Sequence, residues 1–154
     1  MTRRLFSARG ADRYGTLDSG GKCGFVAIVG PGTAFTEYGV EKEGITRSML
    51  NQLTEVAPDA ILLVECDSPY YWIEPGDVTI EEILKSESET GLGDLKGNFP
   101  GCFAVAFVDG TVWFLKDSVP KSALAKFLTV ESATRFNRDE VLRDYVIQEL
   151  PPRE

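Results

Sequence analysis

The chain has 154 residues, 43% apolar and 26% charged, and is sized for a single domain that buries roughly 70% of its unfolded surface. Its formal net charge of −8 argues against nucleic acid and anionic membranes as partners, both of which need clustered Lys or Arg, and permits cations or basic partners. The longest apolar runs, Ala60–Val64 and Cys102–Val108, are far too short to span a bilayer, and the opening MTRRLFSARGADRYG lacks the apolar centre of a signal peptide. The chain therefore reads as cytoplasmic, with no direct membrane insertion.

Residues 1–22 are polar and Gly-rich with five Arg or Lys, and read as an arm or leader ahead of one globular domain over 23–150. Cys23–Val29 reads as a strand ended by Gly30-Pro31-Gly32. A phosphate loop would need Gly-Lys-Ser/Thr after that Gly-x-Gly, and a dinucleotide site a third Gly opening a helix; neither follows. Thr36–Gly44 is turn-like. Ile45–Val56 places apolar residues at 45, 49, 50, 53 and 56, one helical face. Pro58-Asp59 breaks that helix, and Ala60–Glu65 reads as a buried strand. Tyr70, Tyr71 and Trp72 form a dense aromatic patch before Glu74-Pro75-Gly76-Asp77. Thr79-Ile-Glu-Glu82 is a capping box opening a helix to about Lys85. Residues 86–98 read as a loop. Pro120 opens a helix through about Leu128, and Asn137 caps another through about Leu150 with an apolar stripe at Val141, Leu142, Tyr145 and Val146.

The stretch Phe99–Leu115 (FPGCFAVAFVDGTVWFL) is the organising piece. Two apolar runs flank Asp109-Gly110, a strong hairpin signal because both residues tolerate positive φ. A two-residue loop predicts that Phe107 faces Val112, Ala106 faces Trp113 and Val105 faces Phe114. One face then carries Phe103, Val105, Phe107, Val112 and Phe114; the other carries Cys102, Ala104, Ala106, Val108, Trp113 and Leu115. Both faces are apolar, so both call for a cover. The expected fold is α+β: an antiparallel sheet with a central hairpin at about 102–116, joined by the strands 23–29 and 60–65 and covered by the helices 120–128 and 137–150.

Several pieces, in order, resemble a large pseudopilin-like family of unknown function, expanded in planctomycetes, that bears a His-x9-Asp-Gly signature. They are Val26–Phe35 (VAIVGPGTAF), Ile61–Glu65 (ILLVE), Trp72–Val78 (WIEPGDV), Phe99–Leu115 and the segment 120–128 (PKSALAKFL). The resemblance covers about Cys23 to Thr129 and implies the fold of the type II secretion pseudopilin heads. The signature His position falls on Phe99, nine residues before Asp109, and the chain contains no His. What survives of the signature, Pro100-Gly101 and Asp109-Gly110, is turn chemistry, so these positions read as structural. Family members usually begin with a long apolar helix; nothing before Cys23 could form one, so the chain reads as an unanchored relative or as a head separated from its anchor, which would then sit in the periplasm or cell envelope.

Without His, imidazole bases and Ser-His-Asp or Cys-His arrangements are excluded. Cys23, Cys66 and Cys102 lack zinc spacing and read as small buried hydrophobes, with one disulfide as the alternative. The carboxylates near structured segments are Glu65, Asp67, Glu74, Asp77 and Asp109, and a pair of them within reach would be needed for acid–base or glycosidic chemistry. No catalytic, cofactor or metal residue is assigned. Calcium at the acidic loops is weighed, by analogy with pseudopilins that hold it in a C-terminal loop, but 86–98 shows no compact ligand spacing. The expected function is non-enzymatic, in assembly or interaction with a protein, self or other, with Tyr70, Tyr71, Trp72 and Trp113 as the candidate contact surface. A soluble module for a small ligand, peptide or calcium is the alternative, and a carboxylate hydrolase the third.

Overall fold

The structure is a computed structural model, and it describes residues 24–37, 47–65, 77–93 and 97–148. In chain order the elements are β1 (Phe25–Val29), α1 (Ala34–Glu37), α2 (Arg47–Val56), β2 (Ile61–Glu65), β3 (Val78–Thr79), α3 (Ile80–Lys85), β4 (Cys102–Phe107), β5 (Val112–Lys116), α4 (Lys121–Ala125), α5 (Val130–Ala133), α6 (Arg138–Val141) and a closing 3-10 turn (Arg143–Tyr145). The class is α+β, as expected. The five strands form one sheet in the order β3-β1-β2-β4-β5.

Three expectations about this sheet are corrected. It is mixed rather than antiparallel, because β3 runs parallel to β1, pairing Val78 with Ile28 and Thr79 with Val29. β2 is its middle strand, and the β4–β5 pair lies at one edge rather than at the centre. The third correction is the register: Val105 faces Trp113, Ala104 faces Phe114 and Phe103 faces Leu115, one residue away from the expected pairing.

The cause of the slip is Val108. Its amide donates to Ala60 O at 2.9 Å, and its side chain is buried in the core, so it cannot sit opposite Thr111 in a ladder. The connection is therefore three residues, Val108, Asp109 and Gly110. Gly110 N donates to Phe107 O, closing a turn, and Gly110 takes φ +85° before Phe107 N pairs with Thr111 O. This is the turn-plus-bulge form of a three-residue loop, and the glycine supplies its left-handed residue. Because side chains alternate along a strand, one residue of slip turns all of β5 over. Trp113 and Leu115 join Phe103, Val105 and Phe107 on one face, while Val112 and Phe114 join Ala104 and Ala106 on the other.

The first of these faces is the inner face of the core. It continues through Ile61 and Val64 on β2, Val26 and Ile28 on β1 and Val78 on β3, all buried. The helical segments bring Leu53, Ile83, Leu124, Phe127, Leu128, Val130, Ala133 and Leu142 into the same cluster. A bulge at Leu62 keeps Ile61 and Val64 on this face.

Locally coded features agree with the sequence reading. Thr79 and Glu82 form the capping box of α3, and α3 ends at Lys85. Pro120 and Asn137 stand at the starts of α4 and α6, but α4 ends at Ala125 rather than at about Leu128, because Phe127 N and Leu128 N reach back only three residues, to Leu124 O and Ala125 O. The segment after Asn137 is not one helix to Leu150: α6 lasts four residues, the 3-10 turn follows, and Val146 is extended at ψ 134°. The stripe residues still meet the core, Leu142 fully and Val141, Tyr145 and Val146 in part. Backbone pairing with β5 decides the conformation, since Ile147 N donates to Phe114 O at 2.8 Å. Helices α1 and α5 were not read from the sequence. The described part of the expected loop 86–98 is laced to the chain ahead of α4, with a bridge between Thr90 and Pro120. Lys121, whose side chain is buried, donates Nζ to Ser86 O at 2.6 Å and Leu84 O at 3.4 Å, closing the C-terminal end of α3.

Candidate functional site

The densest polar arrangement among the described residues gathers Asp59, Asp109 and Arg138 at the β4–β5 loop. Pro58-Asp59 ends the α2–β2 connection, and Pro58 O accepts from Asp109 N at 3.3 Å, which brings the two loops together. Arg138 opens α6. Its backbone N donates to Asp59 Oδ2 at 3.2 Å. Its guanidinium grips Asp109 at both oxygens, Nη1 to Oδ1 at 3.1 Å and Nη2 to Oδ2, the paired geometry that makes arginine–carboxylate contacts strong. Nε lies 3.3 Å from Asp59 Oδ1 without a hydrogen bond, so that attraction is ionic. The guanidinium carbon sits 4.6 Å from the Phe107 ring centre and 5.0 Å from that of Trp113. The two rings meet edge-on at 5.4 Å. The cation is 11% exposed at its side chain, so it is paired, stacked and nearly dry.

Burial pushes the Asp109 carboxyl up, but the hydrogen bonds from Arg138 and Thr111 outweigh it and hold the group at about 2, against an ordinary 3.8. The ionised form is therefore tied to the folded state. Its contribution is complete above about pH 4 and is lost as the pH falls through about 2, amounting to about 2 kcal/mol. Urea titrations from pH 5 to pH 2 are expected to show this loss in the parent chain and a shallower one in Asp109→Asn.

The signature positions do not converge. Phe99 precedes β4, bridges to Cys102 and meets Phe114 edge-on at 5.9 Å. Pro100 is exposed, and Gly101 has φ +76° and accepts from Asp117 N at 2.9 Å. Asp109-Gly110 follows β4. The six residues of that strand separate the two turns by roughly 20 Å at the usual rise per residue. Phe99 and Asp109 thus frame β4 from its two ends.

A second polar cluster lies near the first of these turns. Glu65 is 3% exposed and accepts from Asn98 Nδ2 and from Ala104 N, each at 3.2 Å. Cys102 is a buried free thiol, pushed up by burial first and then by Asp117 and Glu65. The carboxylates named from the sequence are spent separately: Glu65 here, Asp77 on Ala27 N at 3.2 Å, and Asp109 on Arg138. Asp67, Glu74, Tyr70, Tyr71, Trp72, Cys23 and Cys66 lie outside the described residues. Among the described residues no group of three or more His, Cys, Asp or Glu is placed to hold a metal ion.

Gly97 holds this second cluster in place. A Cβ there would stand 2.0 Å from Cys102 O and 2.9 Å from Phe103 Cα, and backbone atoms of a core strand cannot step aside. Gly97→Ala is expected to cost about 1–3 kcal/mol by overpacking and to pull Asn98 off Glu65, seen as a lower urea midpoint and a shifted Asn98 amide resonance.

Sequence reasoning missed Asp59 and Arg138. No local signal marked them: Arg138 stands in a helix of one turn, and its carboxylate partners lie 29 and 79 residues away in the chain. Trp113, named as a contact residue, is half-buried on the inner face beneath Arg138. No protein-family model matches the chain, and no curated protein or solved structure is significantly similar to it. No helix among the described residues is long and apolar enough to cross a membrane.

Proposed function

We propose that this chain is a non-enzymatic, pseudopilin-like globular domain that works by assembly or protein interaction, related to type II secretion-like systems by the resemblance of its sequence alone. The observation that carries the reading is Val112. It is 53% exposed on the outermost strand, on the face of the sheet turned away from the main core. Ala106, directly opposite, and Phe114, two residues on, are half-buried on that same face. An apolar row of this kind at a sheet edge is a typical contact surface. The Asp109–Arg138 pair supports the reading in a second way, since it spends the best-placed carboxylate on holding the loop beside that row.

The test is light scattering behind size exclusion over a concentration series. The parent chain is expected to gain mass with concentration. Val112→Lys, at an exposed position, is expected to return it to monomer with the urea midpoint changed by no more than about 0.5 kcal/mol equivalent. A parent that stays monomeric at every concentration rules out self-assembly.

A further inference from the structure

We propose that Tyr145–Ile147 is a detachable strap that closes the β5 edge, and that the uncovered edge pairs antiparallel with β5 of a second copy of this chain. The inference rests on the assembly reading for its partner and adds a geometry and a control to it.

β5 is the last strand of the sheet. Phe114 O accepts from Ile147 N at 2.8 Å, so Phe114 turns its backbone groups outward, and alternation gives Val112 and Lys116 the same direction. The strap meets this edge through one antiparallel bridge, Leu115 with Val146, and through Lys116 Nζ on Asp144 O at 3.1 Å. β4 holds the other side of β5 by five paired positions. The root of the strap is fixed by Arg138 and by Leu142, which is fully buried. Its tip is only partly buried, and the 3-10 turn between root and tip leads into extended Val146. Root and tip are thus held with very different strength, the arrangement that lets a segment open without the core.

The sequence of β5, Val-Trp-Phe-Leu-Lys, suits a copy of itself. A two-fold axis at Phe114 sets Phe114 against Phe114, Trp113 against Leu115 and Val112 against Lys116. Phe114, being outward-facing, exchanges both backbone hydrogen bonds with its copy. The aromatic pair is favourable, and the two lysines fall at opposite ends instead of facing each other. Such a contact is isologous and closes as a dimer. In the closed chain Ile147 already occupies Phe114 O, so strap and copy compete for one acceptor.

Hydrogen exchange on the full-length parent chain, followed by NMR, tests the competition directly. In dilute solution the Ile147 amide is expected to exchange at least about tenfold faster than that of Leu115. At high concentration Ile147 is expected to lose protection while Phe114 gains it. Ile147 and Leu115 exchanging together at the global unfolding rate would overturn the strap, and unchanged Phe114 protection at high concentration would overturn the pairing. Ile147→Pro removes the donor and is read by light scattering. It is expected to approach twice the chain mass at concentrations where the parent is still mainly monomeric. A folded Ile147→Pro chain with the parent's mass at every concentration overturns the proposal, and the parent-chain exchange decides it where the variant does not fold. A parent that self-associates and is disrupted by Val112→Lys, beside an unchanged Ile147→Pro, removes the strap and retains the assembly reading.

Discussion

Arg138→Ala is expected to lower the free energy of unfolding by about 3–5 kcal/mol, measured as a lower urea midpoint at unchanged slope. The size follows from what is left behind. The carboxyl groups of Asp109 and Asp59 would both face the space the guanidinium filled, with side chains only 20% exposed. A half-removed buried ion pair costs more than the pair contributed, because the remaining charge is neither hydrated nor neutralised. The variant also strips the cation from the faces of Phe107 and Trp113 and loosens the start of α6, whose backbone is tied to Asp59. Arg138→Lys is expected to fall between parent and Ala, since one ammonium cannot hold both oxygens of Asp109 and stack on two rings at once. In Arg138→Ala the acid-dependent loss between about pH 4 and pH 2 is expected to shrink, because Thr111 alone then donates to the Asp109 carboxylate.

Phe107→Ala is expected to cost about 3–5 kcal/mol by the same measurement. Phe107 is fully buried at the end of β4, opposite Ile61 on the middle strand, with its ring edge-on to Trp113 and beneath Arg138. Truncation removes apolar surface from the core and opens a cavity where β2 and β4 pair beside Trp113 and Arg138. Phe107 and Arg138 touch, so their effects are not independent. The double variant is expected to lose less than the sum of the two single losses, by on the order of 1 kcal/mol. Full additivity would mean that the guanidinium and the ring do not interact.

Both predictions concern a node that the sequence displays only in fragments. Asp109 was legible as a turn residue because Asp-Gly between two apolar runs is a local code. Asp59 was legible as a helix breaker beside Pro58, and Asn137 as a cap. That the three loops meet on Arg138 is a statement about residues 29 and 79 positions away from it in the chain, and no local pattern contains it. The β5 register failed for a related reason. A two-residue turn and a three-residue turn with a bulge both accept Asp-Gly, and the choice fell to Val108, whose amide is claimed by Ala60 on another strand. The segment after Asn137 failed similarly. Its apolar spacing fits a helix, and those side chains do reach the core, but the edge of β5 offers its backbone a partner that a helix would refuse.

By itself the sequence determined the α+β class, the apolar strands around 61–65 and 102–107, the capping box at Thr79–Glu82, the helix start at Pro120 and the cap at Asn137. Each of these depends on residues within one turn or one strand, where hydrogen-bonding side chains and apolar periodicity act over a few ångströms. Only the tertiary structure decided that β2 is the middle strand, that β3 runs parallel, that β5 faces as it does, and that Arg138 rather than solvent neutralises Asp109. Those outcomes turn on which distant group claims a backbone amide or a charge first. That competition is settled when the whole core closes, because only then does leaving a polar group unpaired become costly.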